Sequence, residues 1–214
     1  MLIDALHRIV AHPRVYNFVQ TICGARQSRE KLKNRLADIG ACIVLDIGAG
    51  TGNGLRVLPA EAQYLWLDND SQKLAGFMPY RCCEAILASA TAIPLAAGSV
   101  DVALCIAMTH HLTDTQMMEV LTELRRVCRN RLILLDAVER RGSLISGLLW
   151  RLDRGSHPRS SERLRNLVRQ HFDIQFEEEY SIYHAYWLCD ARVKRRGDVG
   201  TSSAPVTGFQ EVPS

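Results

Sequence analysis

The stretch Val44-Leu45-Asp46-Ile47-Gly48-Ala49-Gly50-Thr51-Gly52 constrains the fold more than any other part of the chain. It opens as a buried strand and breaks into a glycine-rich turn. Glycines at alternate positions remove the side chains that would hold a ligand off the backbone, and glycine tolerates the positive φ of such a turn. Asp46 falls at the end of the strand, where an open α/β sheet binds its ligands. The stretch therefore predicts an α/β domain whose chemistry lies within a few residues of this point.

The rest of the pattern agrees with that class. Cys42–Ile47, Tyr64–Leu67 ending at Asp68, Ala85–Ala88, Val100–Ala107 and Leu132–Val138 read as strands. Thr113-Asp114-Thr115-Gln116 is a capping box. It opens a helix with the stripe Met117, Val120, Leu121, Leu124, Val127 and Cys128. Alternation of this kind calls for a parallel sheet with helices on both faces. Leu144–Leu152 and Glu162–His171 look helical, and Asp173–Glu179 and Ile182–Val193 are expected to close the sheet as an antiparallel hairpin. The predicted fold is Rossmann-like and doubly wound, with a mostly parallel seven-stranded sheet.

Residues 1–39 carry helical stripes: Leu2, Leu6, Ile9 and Val10; then Val15, Phe18, Val19 and Ile22; then Leu32, Leu36 and Ile39 up to Gly40. Beyond Lys194 the chain lacks apolar residues to pack and reads as a disordered tail. The expected organisation is a helical lid over 1–39, a catalytic domain over 40–193 and a tail over 194–214.

A chain of 214 residues, 47% hydrophobic and 23% charged, suits one such domain. A net charge of +3 is too small to imply nucleic acid. Arginine is denser between Arg125 and Arg169, so a local basic face stands as an alternative to a solvated surface. Seven cysteines without C-x-x-C spacing fit reduced thiols in a cytoplasmic protein. Adjacent Cys82 and Cys83 make a poor metal clamp, so no metal site is expected, and Cys42 and Cys105 read as apolar filler. There is no apolar core of a signal peptide and no run near the ~20 residues needed to cross a bilayer.

The glycine spacing selects between cofactor classes. The dinucleotide fingerprint G-x-G-x-x-G requires a third glycine at residue 53 or 55, where the chain has Asn53 and Leu55. What remains, D-x-G-x-G-x-G, resembles motif I of the class I S-adenosylmethionine-dependent methyltransferases. Trp66-Leu67-Asp68-Asn69-Asp70-Ser71 resembles the family's second segment, and Ser89-Ala90-Thr91-Ala92-Ile93-Pro94-Leu95 its third. Gly98–Val102 through His110-His111-Leu112, and Leu121–Val127 after it, are also similar, so the resemblance spans roughly residues 40–138.

It implies S-adenosylmethionine as cofactor, held by Asp46, Gly48, Ala49, Gly50 and Gly52, with Asp68 and Asn69 at the ribose and Ser89 and Ala90 at the adenine. Where the family usually has an aspartate facing the adenine amino group, this chain has Ser89. Asp70 is the alternative ribose acid, although Asp70-Ser71 better suits a helix cap. In relatives an N-terminal helix covers the cofactor. Tyr16 and Gln20, one helical turn apart on a shared face, are the candidates here, with plain packing as the other reading.

His110 and His111 follow strand four at the rim where an acceptor would lie, and a neutral imidazole there can take a proton from a nucleophile. Of the two, His111 reads as the more structural. His184 either lines the acceptor pocket or packs with its strand. Amino and nucleobase methyltransferases often carry an Asn/Asp-Pro-Pro-Tyr-like box after strand four, but this chain has Cys105-Ile106-Ala107-Met108-Thr109. The expected acceptor is therefore a small molecule, not nucleic acid, with oxygen favoured over carbon or nitrogen. The apolar-then-basic Leu144–Arg159 stretch suits a lipid-like or anionic one. Three alternatives stand: a cofactor-binding protein that catalyses a rearrangement without transfer, an RNA methyltransferase using the arginine-rich face, and a nicotinamide-dependent oxidoreductase, which the glycine spacing disfavours.

Overall fold

The computed structural model describes residues 25–50, 52–75, 83–139, 157–181 and 185–194. The stripes before residue 24, the 144–152 segment, His184 and the chain beyond 194 lie outside them, as do Tyr16 and Gln20.

The sheet is built outward from the glycine strand. Strand β1 (Ile43–Ile47) pairs in parallel with β2 (Gln63–Asp68) on one side and β4 (Val100–Ile106) on the other. Parallel pairing continues from β2 to the edge strand β3 (Cys83–Leu87) and from β4 to β5 (Cys128–Val138). Strand β7 (Ala185–Val193) then runs antiparallel to both β5 and β6 (Phe172–Ser181). The spatial order is β3-β2-β1-β4-β5-β7-β6. The expected seven-stranded sheet with its antiparallel hairpin is thus present, and its order reverses between β1 and β4, the point at which such sheets open a ligand crevice.

Helices cover both faces. Side chains alternate along β1, so Leu45 and Ile47 join one core cluster and Val44 the other. The first cluster takes Met117, Val120, Leu121, Leu124 and Val127 of α3 (Asp114–Val127), with Leu164, Leu167 and Val168 of α4 (Ser161–Val168). The second takes Leu32 and Leu36 of α1 (Ala25–Leu36), with Val57, Leu104, Ile133 and Leu188. Fully burying each such aliphatic chain contributes about 1.5–3 kcal/mol. A short helix, α2 (Ser71–Ala75), follows β2.

Several boundaries differ from the sequence reading. Cys128, placed on the α3 stripe, is the first residue of β5; the backbone there is already extended (φ −90°, ψ 135°). Strand β5 also starts before Leu132, because polar Arg129, Asn130 and Arg131 mask its first residues. Arg131 is nonetheless buried: its guanidinium donates to both oxygens of Asp190 on β7 (2.8 and 2.6 Å), to Asp38 (2.8 Å) and to the Arg35 carbonyl (2.7 Å). That ion pair joins the end of α1 to the sheet. Helix α4 ends at Val168, short of the predicted His171. Cys105 is buried as expected, whereas Cys42 is only half-buried.

Candidate active site

At the carboxyl ends of the parallel strands lies a cavity of about 610 Å³, within the usual range for ligand sites. Most of the lining comes from strand ends: Asp46, Gly48, Ala49 and Gly50 at β1, Leu67–Asn69 at β2, Ala88–Thr91 after β3, Ile106–Met108 at β4, Leu135 and Asp136 on β5, and Tyr186 on β7. Ser28, Arg29 and Leu32 of α1 close it from one side.

The glycine turn fits under this space because it lacks side chains. Gly48, Gly50 and Gly52 all have positive φ (63°, 55° and 74°). A Cβ at Gly48 would sit 2.3 Å from Met108 Cγ. Gly54, which the sequence reading did not single out, is the most restricted: its Cβ would lie 2.0 Å from Asp46 Oδ2. Its signal was available, since Gly54 continues the alternate-glycine series by one more step.

Asp46 and Asp68 occupy the same face and differ sharply. Asp68 is almost fully buried, with Oδ2 accepting from Gly50 N–H and Oδ1 from Asp70 N–H, both at 2.9 Å. Those bonds fix its carboxylate at the cavity wall with lone pairs left for ligand hydroxyls. Asp70 instead accepts from Gln72 N–H (2.9 Å) at the start of α2, the cap role the sequence suggested. Asp46 Oδ2 accepts from the Tyr64 hydroxyl at 2.5 Å, while its Oδ1 is buried with no hydrogen-bond partner. Burial first, and the nearby Asp68 charge, push its carboxyl up to about 7, against the Tyr64 bond. An orphaned, partly protonated acid on the cavity floor matches a cationic ligand group.

The adenine-side candidates come together after β3. Ser89 and Thr91 hydroxyls lie 2.8 Å apart, and Thr91 N–H donates to Ser89 Oγ (3.2 Å). Ser89 and Ala90 line the cavity beside Asn69.

The opposite wall is the loop after β4. Ala107 adopts a left-handed conformation (φ 51°), unusual for a non-glycine residue. Asp136, buried at the end of β5, then gathers the loop. It accepts from Thr109 N–H (2.6 Å), the Thr109 hydroxyl, His110 N–H (3.2 Å) and its own neighbour Ala137 N–H (2.7 Å), and pairs with His110 Nδ1 at 2.5 Å. Burial works to raise its pKa, but the His110 charge and the bonds from His110 and Thr109 outweigh it, holding the carboxyl below the ordinary range. His111, the one read as structural, lines the cavity; His110 is turned to Asp136, their rings 4.1 Å apart. Arg159, also buried, clamps the same loop from outside through the Thr109 carbonyl (2.8 Å), the Leu112 carbonyl and Asp114 (2.6 Å).

The sequence reading singled out neither Asp136 nor Arg159 for a role. An acid inside the apolar run Leu132-Ile133-Leu134-Leu135-Asp136 was a visible signal for the first. Nothing local pointed to the second. Nor is the arginine-rich stretch a bare basic face among the described residues, where every arginine but Arg125 pairs with an acid. Arg126 pairs with Glu123, Arg129 with Asp101, Arg131 with Asp190, Arg159 and Arg163 with Asp114, and Arg165 and Arg169 with Glu177.

Comparison with known proteins agrees with this geometry. Residues 44–131 match the family described as a methyltransferase domain. A comparison with curated proteins finds no sequence match. Among solved structures, the chain is similar to magnesium protoporphyrin IX methyltransferase from Synechocystis PCC 6803 with bound S-adenosylhomocysteine. That match has 17% identity, covers 89% of this chain and 94% of that one, and has a TM-score of 0.69. It is also similar to the cyclase SpnF (17% identity, 78% and 80% covered, TM-score 0.64). A third similar structure is the methyltransferase complexed with the Haloferax volcanii Trm112 activator (12% identity, 84% and 96% covered, TM-score 0.66).

The chain carries a methyltransferase domain over residues 44–131 on the fold it shares with these S-adenosylmethionine-dependent methyltransferases, which supports an enzyme with that cofactor. The residues present fit the group. Side-chain-free turns leave the space, Asp46 offers an unpartnered oxygen to an ammonium, and Asp68 offers held oxygens to hydroxyls.

Proposed function

We propose that this enzyme methylates an oxygen of a small-molecule acceptor, with His111 as the base. The carrying observation is that one cavity of about 610 Å³ brings the glycine turn, Asp68 and His111 onto facing walls. Asp46, Gly48, Ala49, Gly50 and Gly52 take the amino-acid end of the cofactor, Asp68 and Asn69 the ribose, and Ser89 and Ala90 the adenine. When bound, S-adenosylmethionine supplies a methyl group already activated on a sulfonium. The protein's tasks are then alignment and exclusion of water, and alignment alone supplies up to about 7–11 kcal/mol.

His111 would accept the acceptor hydroxyl's proton as that oxygen takes the methyl group, the bound cofactor supplying the methyl and the leaving sulphur. His110, tethered to Asp136, positions that loop. Tyr16 and Gln20 are the side chains this reading assigns to the cofactor from the N-terminal segment. The tail at 194–214 carries no site residue. The paired arginines favour a small molecule over RNA, whose backbone requires unpaired cations. Among the described residues no helix is long and apolar enough to cross a membrane, and the free thiols of Cys42, Cys105, Cys128 and Cys189 are consistent with work in the cytoplasm.

The test is a metabolite extract incubated with the enzyme and a methyl-labelled donor, with mass identification of the product. A labelled methyl ether or ester is expected. Label on carbon or nitrogen refutes the oxygen assignment. Tight cofactor binding with no label in any small molecule favours a rearrangement catalyst.

A further inference from the structure

Resting on the oxygen-methylating reading of this cavity, we propose that its acceptor is a planar aryl hydroxyl compound, a phenol, lying on an apolar floor that ends at Tyr186. Side chains alternate along a strand. Ile106 of β4, Leu135 of β5 and Tyr186 of β7 therefore sit with Leu32 of α1 in the core cluster on the α1 face of the sheet. Asp46, two residues after Val44 of the same cluster, points to that face from β1. All of these residues line the cavity. Strands β1, β4, β5 and β7 are neighbours in that order, and adjacent strands lie about 4.8 Å apart. The row thus spans roughly 14 Å, with an acid at its β1 end and an aromatic ring at its β7 end. Asp136 on β5 is turned away from this floor, to Thr109 and His110.

The ring at the far end is braced. Tyr186 stacks on Tyr180 of β6, with centroids 5.5 Å apart and 22° between the planes. Tyr180 is held in turn: its hydroxyl donates to Ser28 Oγ (2.8 Å), and Lys31 Nζ lies 4.9 Å from its ring centre. Glu178 fixes that ammonium at 2.5 Å. A wall ordered before the ligand arrives has little freedom left to lose on binding. Aromatic pairs gain from offset or edge-to-face packing, which needs a flat partner. A braced tyrosine therefore favours a planar acceptor over a puckered one of the same skeleton.

The base on the cavity wall selects the same chemistry. An imidazole, ordinarily near 6.5, lies about 3.5 pH units below a phenol near 10. Against a hydroxyl as weakly acidic as water, about 16, the gap exceeds about nine. A carboxylic acid is already ionised near neutral pH and would leave His111 no proton to remove. A phenol is the oxygen acceptor for which a histidine is both needed and sufficient. In that step the phenol oxygen takes the methyl group and its proton goes to His111. The electron pair of the broken bond stays on the cofactor's sulphur. From β4 to β7 the floor is roughly 10 Å wide, room for a skeleton of one or two rings.

Calorimetry on the S-adenosylhomocysteine-loaded enzyme tests this with 2-naphthol and decahydro-2-naphthol, the same skeleton saturated and puckered. The proteins are wild type, Tyr186→Leu and Tyr186→Phe. In wild type, 2-naphthol is expected to bind more tightly than its saturated counterpart by about 5–10-fold, the scale of one aromatic pair. Tyr186→Leu should remove that advantage, while decahydro-2-naphthol and S-adenosylhomocysteine change less than about twofold. Tyr186→Phe, which keeps the ring, should retain it. No binding of 2-naphthol, equal or tighter binding of the saturated alcohol, or an equal loss of both in Tyr186→Leu overturns the proposal. A metabolite extract with methyl-labelled donor gives the second readout, with an aryl methyl ether expected. Label on an aliphatic hydroxyl or a carboxylate overturns the phenol assignment and leaves oxygen methylation standing. Label on carbon or nitrogen removes that underlying reading, and the phenol with it.

Discussion

Along the cavity, the walls from β1, β2 and β3 hold their groups differently from those of β4, β5 and β7. The first set is backbone-made: glycine turns, an Asp68 fixed by two amide N–H groups, and a Ser89-Thr91 turn. The second set is side-chain-made: Asp136 gathers Thr109 and His110 from another strand, and Arg159, 50 residues from Thr109, locks the loop from outside. The difference separates two jobs. A shared cofactor can be met by a fixed turn, whereas an acceptor wall can vary while one buried acid keeps the loop in register.

The sharpest break between the walls is expected at His111. Replacing it with alanine removes a positioned base, worth about 10²–10⁴-fold in transfer rate, and should leave S-adenosylhomocysteine affinity within about twofold. Labelled-methyl transfer and calorimetry on the same variant measure both. An equal fall in both quantities would mean that the walls do not divide the labour.

Gly54→Ala attacks the other wall. Its methyl would enter the space of Asp46 Oδ2 and lie 3.2 Å from the Tyr64 hydroxyl. Overpacking a buried site costs about 1–3 kcal/mol, or roughly 2–12 °C in melting temperature at this chain length. Cofactor affinity should drop about 100-fold, because Asp46 has to move. Wild-type affinity in this variant would remove Asp46 from the site. Asp68→Ala follows, with an expected loss of roughly 10–100-fold in nucleoside affinity as charge-assisted bonds disappear. Methylthioadenosine should lose as much as S-adenosylhomocysteine, since both carry the ribose.

The same divide explains what could be read from the chain. Strand β1 with its turn, and β2 ending in Asp68, are each written in consecutive residues, so short apolar runs and glycine spacing were enough to place them. The α3 cap was equally legible, since Thr113 and Gln116 satisfy each other within one turn. Asp136 and Arg159 act through partners brought near only by the sheet order, and no local pattern encodes that. The roles of the adjacent histidines were unreadable for the same reason. Which ring meets the cavity depends on the loop set by Ala107 and the Asp136 bonds, not on their order in the chain.

The smallest predicted effect concerns Asp46 and pH. Its carboxyl sits at about 7 in the folded protein against an ordinary 3.8. A raised carboxyl contributes stability that is fully present below pH 3.8 and is lost as pH rises through 7. The ligand-free enzyme should therefore melt lower at pH 8 than Asp46→Asn, with the gap closing toward pH 5. Binding has the opposite sign, because a ligand ammonium favours the charged acid. S-adenosylhomocysteine affinity should rise with pH by at most about tenfold per unit below 7 and level off above it. Calorimetry from pH 5.5 to 8.5, in buffers of different ionisation heat, should also detect proton release on binding. A flat profile in wild type, matching that of Asp46→Asn, would show that the acid is already charged before the ligand arrives. The Tyr64 bond would then outweigh the burial of Asp46.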